Sequence, residues 1–136
     1  MRNVVKLLDN VNDINTFDEV EEFTIIRGNS YNLCFRLFKE KKDCNGEPTL
    51  QRYIPIGTSN SVQVQFDNLD VEYCIKRTAT KPYPSDSSIW CIPILPQDQL
   101  MFNGMRVTLY EDSKVTNFIV ETDISTEDTG DRRRFT

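Results

Sequence analysis

The sequence of 136 residues contains no histidine. This removes the commonest general base, the Ser-His and Cys-His nucleophile pairs and the imidazole ligands of most transition-metal sites. No apolar stretch approaches the roughly 18 residues of a membrane-spanning helix, and the first residues lack the apolar segment of a signal peptide. The net charge of −5 disfavours nucleic acid as the main partner, because phosphate binding needs a basic face. We therefore predict no enzymatic activity, no cofactor, no metal, and neither nucleic acid nor a membrane as a partner.

The four cysteines, Cys34, Cys44, Cys74 and Cys91, include no CxxC pair, which excludes zinc-ribbon and thioredoxin-like sites. An even number of cysteines suits two disulfides in a secreted domain, but no export signal indicates that setting. Three of them are predicted to face away from the main apolar sets of their strands, and Cys44 falls in a charged loop. We therefore expect four reduced, unpaired thiols.

The densest apolar segment is residues 89–95, IWCIPIL, which contains the only tryptophan, Trp90. The segment is short, rich in β-branched residues and preceded by the turn-forming Pro82 and Pro84, so it is predicted to be a core strand of an all-β domain. Pro93 indicates an edge position, a bulge or the exit from the strand. Trp90 is expected to be buried.

Alternation of apolar and polar residues predicts further strands, and it is clearest at residues 61–66, SVQVQF. The predicted strands are residues 23–27, 31–38, 52–56, 61–66, 71–76, 89–95, 105–110 and 115–122. Residues 39–49 are predicted to be a charged loop, and residues 96–101 one helical or 3₁₀ turn. Short strands about 8–12 residues apart, with no amphipathic helix, predict an all-β fold: an immunoglobulin-like antiparallel β-sandwich with extended polar N- and C-terminal arms.

The chain is predicted to have three parts. Residues 1–22 are interpreted as an N-terminal arm or edge strand, residues 23–122 as the β-sandwich domain, and residues 123–136 as a C-terminal tail. Residues 1–22 hold six acidic residues and asparagines that disfavour a helix. We expect both arms to be mobile in isolation and to become ordered against a partner.

Two carboxylate pairs, Asp67 with Asp70 and Glu111 with Asp112, flank turns. Either could bind a cation or act in acid–base chemistry, but carboxylates in loops are usually only solvated. The serines of residues 85–88 have no predicted base partner, so a nucleophile is not expected there.

Aromatic and basic residues supply two further candidate sites. Tyr53, Tyr83 and Tyr110 could stack on a sugar if they are exposed together. The residues Arg132, Arg133, Arg134 and Phe135 are our candidate partner-binding site, because an arginine triplet beside an aromatic residue can bind phosphate or dock on an acidic neighbour. A solvated tail is the alternative for these four residues.

The order of features in residues 23–122 resembles small β-sandwich virion proteins of tailed bacteriophages. The segment FTIIRGNSYNLCFRLF is similar to the opening strands of the immunoglobulin-like domain at the start of phage baseplate upper proteins. RYIP, SVQVQF, SIWCIPIL followed by PQDQL, and GMRVTLYEDSKV continue the same layout. No catalytic residue is carried over from that family.

The resemblance implies a non-enzymatic structural subunit of a virion, made in the bacterial host cytoplasm. Residues 105–110 and 115–122 are predicted to form a hairpin through the turn at residues 111–114. Because no coiled coil follows this hairpin, we expect a neck, head–tail junction or tail accessory protein. Its partners would be other virion structural proteins, in multiple copies of a symmetric assembly. The alternative is a host-surface or glycan-binding β-sandwich module, which would expose a coplanar set of aromatic side chains.

Overall fold

The computed structural model describes residues 2–9, 18–26, 31–55, 59–68, 73–81, 86–94 and 104–127. Within these ranges every helix or strand assigned is a β-strand, which confirms the all-β prediction for the described part of the chain. The strands are β1 (Asn3–Asp9), β2 (Asp18–Glu19), β3 (Glu22–Ile26), β4 (Tyr31–Lys42), β5 (Pro48–Arg52), β6 (Ser61–Asn68), β7 (Tyr73–Thr78), β8 (Ile89–Ile94), β9 (Gly104–Glu111), β10 (Lys114–Val120) and β11 (Asp123–Glu127). The helical turn predicted for residues 96–101 lies outside the described residues.

Nine strands form one mixed sheet with the order β5-β4-β1-β10-β9-β6-β7, to which β2 adds at β1 and β8 at β4. The long strand β4 pairs with β1 on one side and with both β8 and β5 on the other. Strands β3 and β11 form a separate two-stranded sheet. The prediction of purely antiparallel pairing is wrong, because β1 pairs with β10, and β3 with β11, in the parallel direction.

The predicted alternation decides which side chains form the core. In β6, Val62, Val64 and Phe66 are buried, whereas Gln63 is exposed and Gln65 half-buried. The main apolar core combines side chains from β1, β4 and β8 with side chains from β6, β9 and β10. Trp90 on β8 belongs to this core and is 3% exposed, as predicted.

Residues that follow β7 join the two ends of the nine-stranded sheet. The Ala79 amide donates to the Val62 carbonyl oxygen at 2.8 Å. Thr80 and Cys91 exchange two backbone hydrogen bonds, each 2.8 Å long. Residues 79 and 80 thus lie beside β6 and then beside β8. The apolar core lies between these two parts of the sheet.

The interpretation of residues 1–22 as an arm or edge strand is wrong for β1. This strand lies inside the sheet between β4 and β10, and Val4, Val5, Leu7 and Leu8 are buried. Apolar residues adjacent in sequence point to opposite faces of a strand. Burial of both pairs therefore means that both faces of β1 are covered. A strand covered on both faces has no alternation of apolar and polar residues, so the sequence pattern did not reveal it.

The C-terminal part of the chain also departs from its predicted role. Residues 123–127 form β11, which pairs in register with β3 from Asp123↔Glu22 to Glu127↔Ile26. The unpatterned tail predicted for residues 123–136 is therefore wrong for β11, and residues 128–136 lie outside the described part. Polar sequence did not prevent a strand here, because the backbone of β3 supplies the hydrogen-bond partners.

The prediction of four unpaired thiols is wrong for Cys34 and Cys91, which form a disulfide. The two residues are direct cross-strand partners of β4 and β8. They were correctly expected to face away from the main core. Since both point to the same side of neighbouring strands, that orientation is what brings them together. With Leu8 and Ile89 they form a second buried cluster, while Cys44 and Cys74 are unpaired and exposed.

Candidate functional site

The residues predicted to bind a partner, Arg132, Arg133, Arg134 and Phe135, lie outside the described residues, as do Asp70, Tyr83 and Ser85. The remaining candidates are side chains on the strands and turns that the structure describes. They form one buried polar cluster and three areas of the surface.

The buried polar cluster joins β4 to the turn before β8. The Arg36 side chain donates from Nε to the Ser88 hydroxyl at 3.0 Å and from Nη2 to Asp86 at 2.8 Å. The Ser88 hydroxyl and its backbone amide both donate to the same oxygen of Asp86. Sequence alone had assigned the serines no partner, because Arg36 lies more than fifty residues earlier in the chain.

This cluster is suited to holding the turn rather than to activating a nucleophile. The hydrogen bond from the Ser88 hydroxyl, followed by those from Arg36, lowers the pKa of Asp86 to about 2. A carboxylate with so low a pKa is a weak proton acceptor at neutral pH. Ser88 is also buried, and its oxygen is already bonded to two groups. We therefore interpret Arg36, Asp86 and Ser88 as a structural cluster.

Of the two carboxylate pairs considered from sequence, the first includes Asp70, which lies outside the described residues, and in the second Glu111 accepts a hydrogen bond from the Tyr53 hydroxyl. Asp67 is buried, and one of its oxygens lies 3.5 Å from Nε of Arg106. A Cβ atom at position 104 would collide with Oδ1 of this carboxylate, so a larger residue there would require the Asp67 side chain to move. Among the described residues, no group of three or more metal-binding side chains is brought together.

A positively charged surface, here called the basic end, lies where β4 and β5 extend beyond the core. A depression of about 410 Å³ is lined there by Lys39, Lys41, Gln51, Arg52, Tyr53, Ile54, Glu111 and Lys114. Lys39 and Lys41 continue the face of β4 that buries Leu33, Phe35 and Leu37. This surface was missed because residues 39–49 were predicted to be a loop. Residues 39–42 are all charged, so the end of β4 shows no apolar alternation in the sequence.

Tyr53 anchors the basic end to the core. Its ring meets Phe118 edge to face at 5.6 Å, and its backbone amide donates to the Leu37 carbonyl oxygen at 2.8 Å. The Tyr53 hydroxyl donates to Glu111 and accepts from Lys114, both at 3.1 Å. The bond to Tyr53 raises the pKa of Lys114, which keeps this cation charged.

A surface of opposite charge, here called the acidic groove, lies beside β1 and β2. It has a volume of about 450 Å³ and is lined by Lys6, Glu19, Val20, Glu21, Glu121, Thr122 and Asp123. The Thr122 hydroxyl links the segments that line the groove: it accepts a hydrogen bond from the Leu7 amide at 3.1 Å and donates one to the Val20 carbonyl oxygen at 2.9 Å. Arg2 binds Glu121 at the border of the groove and also Glu40.

The third surface, here called the outer face, is the side of β10, β9 and β6 that points away from the core. Tyr110, Val115 and Ile119 are 39%, 59% and 62% exposed there. Cross-strand pairing places Tyr110 beside Val115, and Ile119 beside Arg106. The intervening row is polar, with the Thr108 hydroxyl donating to the Asn117 side chain at 3.1 Å.

The aromatic residues considered for sugar binding do not come together. Trp90 is buried, with the Lys81 ammonium 4.5 Å from the centre of its ring. Tyr53 is half-buried at the basic end, and Tyr110 lies on the outer face. Among the aromatic side chains that the structure describes, only Tyr110 is exposed.

The fold and these surfaces define an all-β protein with a nine-stranded mixed sheet, a main apolar core, a smaller buried cluster and two areas of opposite charge. No protein-family model, no curated protein and no solved structure matches the chain. Within its described residues we find no helix with the length and apolar character needed to cross a membrane.

Proposed function

We propose that this chain is a non-enzymatic structural subunit of a tailed-phage virion, present in multiple copies at the neck, the head–tail junction or the tail. The observation that carries the proposal is the outer face, where Tyr110, Val115 and Ile119 expose apolar area on a regular sheet surface. Exposed apolar side chains that adjoin, as the cross-strand neighbours Tyr110 and Val115 do, favour protein–protein contact, and Ile119 adds apolar area beyond the polar row. Its partners are other virion proteins and further copies of the chain, and it is made in the host cytoplasm.

We also propose that the fold is an immunoglobulin-like sandwich, which the strand pairing supports. Strands β1, β4 and β8 would correspond to A, B and E of one sheet, and β10, β9, β6 and β7 to G, F, C and C′ of the other. The shared core between these two groups supports the assignment. In antibody domains a disulfide joins strands B and F, whereas Cys34 and Cys91 join the neighbouring strands B and E.

A host-surface or glycan-binding module is less well supported. Sugar binding by stacking needs several exposed aromatic rings in one plane. Tyr110 is the single exposed aromatic side chain of the described residues, and its neighbours Val115 and Ser61 are not aromatic. The grouping with aliphatic residues favours contact with protein.

The proposal is tested by following the chain into particles. Virions purified by density gradient from cells that carry the gene should contain the chain in a fixed ratio to the capsid protein, measured by quantitative mass spectrometry. A non-structural protein of the same genome serves as the control for contamination. A chain that is abundant in the lysate but absent from purified particles would contradict a virion role.

The outer face is tested separately with a matched pair of variants. Val115→Asp with Ile119→Asp should leave the melting temperature nearly unchanged, because both side chains are exposed, but should reduce incorporation into particles at least tenfold. Asn117→Asp introduces a charge on the same face of β10 between them and should have a smaller effect. Equal incorporation of both variants would show that the outer face is not the contact surface.

A further inference from the structure

The outer part of the basic end lies far from the acidic groove, although Arg2 links Glu121 of the groove to Glu40, the neighbour of Lys39 and Lys41. Lys114, at the start of β10, and Glu121, just after its end, are seven residues apart, or about 23 Å along an extended strand. The distance between Lys41 and Glu19 is similarly long. Glu19 pairs with Leu8 and Leu8 with Cys34, and Cys34 lies seven residues from Lys41 along β4. Lys114 therefore lies too far from Glu121, and Lys41 too far from Glu19, to form an ion pair with it within one chain.

The two surfaces have matching and opposite charges. The basic end presents three cationic side chains, Lys39, Lys41 and Lys114, against the single carboxylate of Glu111. Arg52 is also in the lining, but it pairs with Phe38 and so points to the other face of the sheet. The acidic groove presents four carboxylates, Glu19, Glu21, Glu121 and Asp123, against the cation of Lys6 in its lining and that of Arg2, which binds Glu121 at its border. A surface this basic is unexpected on a chain with a net charge of −5.

The basic end also offers apolar area, which a contact needs in addition to charge. Ile54 is 50% exposed beside the cationic side chains, and the half-buried Tyr53 ring forms the base of the depression. On the opposite surface, Val20 lies between Glu19 and Glu21 in the lining of the groove. Both surfaces thus combine a small apolar centre with a charged border, as protein interfaces do.

We propose that copies of this chain associate head to tail, with the basic end of one copy bound to the acidic groove of the next. The inference rests on the multi-copy role proposed above and names the contact between copies. Contact of two basic ends, or of two acidic grooves, would place like charges together and is disfavoured. A contact between different surfaces of successive copies builds a ring if the rotation closes and a filament if it does not.

Charge reversal tests the contact. Wild-type protein should self-associate in analytical ultracentrifugation at 50 mM salt and less at 500 mM, because added salt screens exposed charges. Lys39→Glu with Lys41→Glu, and separately Glu19→Lys with Glu21→Lys, should each weaken self-association about tenfold or more. An equimolar mixture of the two double variants should associate again, since each supplies a surface complementary to the other.

A matched pair of single variants controls for net charge. Lys41→Glu should weaken association, whereas Lys42→Glu changes the same charge at the next residue of β4 but on the opposite face, and should not. Circular dichroism melting curves establish that every variant is folded before association is measured.

Several outcomes overturn the inference. Wild-type protein that stays monomeric at every salt concentration, or double variants that associate like wild type, would exclude the head-to-tail contact. A poly-glutamate peptide that binds the basic end of a monomeric chain would assign that surface to a different acidic partner. None of these results changes whether the chain is found in purified virions, so failure of the contact is distinguishable from failure of the proposed function.

Discussion

Removal of the Cys34–Cys91 disulfide should lower the free energy of unfolding by about 3–4 kcal/mol. The bond joins residues 57 apart in sequence, and closing a loop of that length in the unfolded chain is worth about 4 kcal/mol in the chain-entropy description. Both cysteines are buried beside Leu8 and Ile89. The suitable variant is therefore Cys34→Ala with Cys91→Ala, because serine would bury a hydroxyl without a partner.

Urea unfolding followed by circular dichroism measures this loss. The double alanine variant should remain folded, since domains of this size have about 5–15 kcal/mol of stability. It should unfold at a lower urea concentration and with a steeper dependence on urea, because its unfolded chain is no longer held compact by the cross-link. The matched control is Cys44→Ala with Cys74→Ala, which removes two exposed thiols and should change stability by less than about 0.5 kcal/mol.

Thiol counting provides an independent test of the same bond. Under denaturing, non-reducing conditions two of the four cysteines should react, and all four should react after reduction. Reduction of the Cys44→Ala/Cys74→Ala variant should reproduce the stability loss of the other double variant. Four reactive thiols before reduction, or an unchanged unfolding curve after it, would refute the pairing.

Three further predictions follow from the burial and charge of single elements. Trp90→Ala should cost about 3–5 kcal/mol in urea unfolding, because it empties a buried position of the core, and a near-wild-type melting temperature would contradict this. Deletion of residues 1–9 should abolish folding as judged by circular dichroism, since β1 buries four apolar side chains worth about 1.5–3 kcal/mol each; a folded truncated protein would restore the arm interpretation. Asp86→Asn should flatten the dependence of stability on pH between about 4 and 2. The folded-state pKa of Asp86 is lowered to about 2, so its contribution is present above pH 4 and is lost as the pH falls. That contribution is about 1 kcal/mol after allowance for solvent screening of a side chain that is 32% exposed.

The sequence predicted those strands in which the alternation of apolar and polar residues matches the alternation of buried and exposed side chains. Alternation in β6 predicted its buried and exposed faces, and the apolar run around Trp90 predicted a core strand. The β9–β10 hairpin was likewise predicted from its turn and its alternating residues. A strand with one face toward the core has a period of two in its sequence, and that period is visible without knowledge of the partner strands.

Only the tertiary structure decided the features that depend on residues far apart in the chain. β1 is covered on both faces, so its Val/Leu patch has no alternation. Its place between β4 and β10 follows from pairing with residues 26 to 36 positions away in β4 and 115 positions away in β10. Cys34 and Cys91 meet because β4 and β8 are in register, and Arg36 reaches Asp86 and Ser88 for the same reason. The basic end and the acidic groove also collect charges from separate strands. The composition gives the number of charged residues. The distances between their charges, on which the interaction energy depends, are determined by strand order and register.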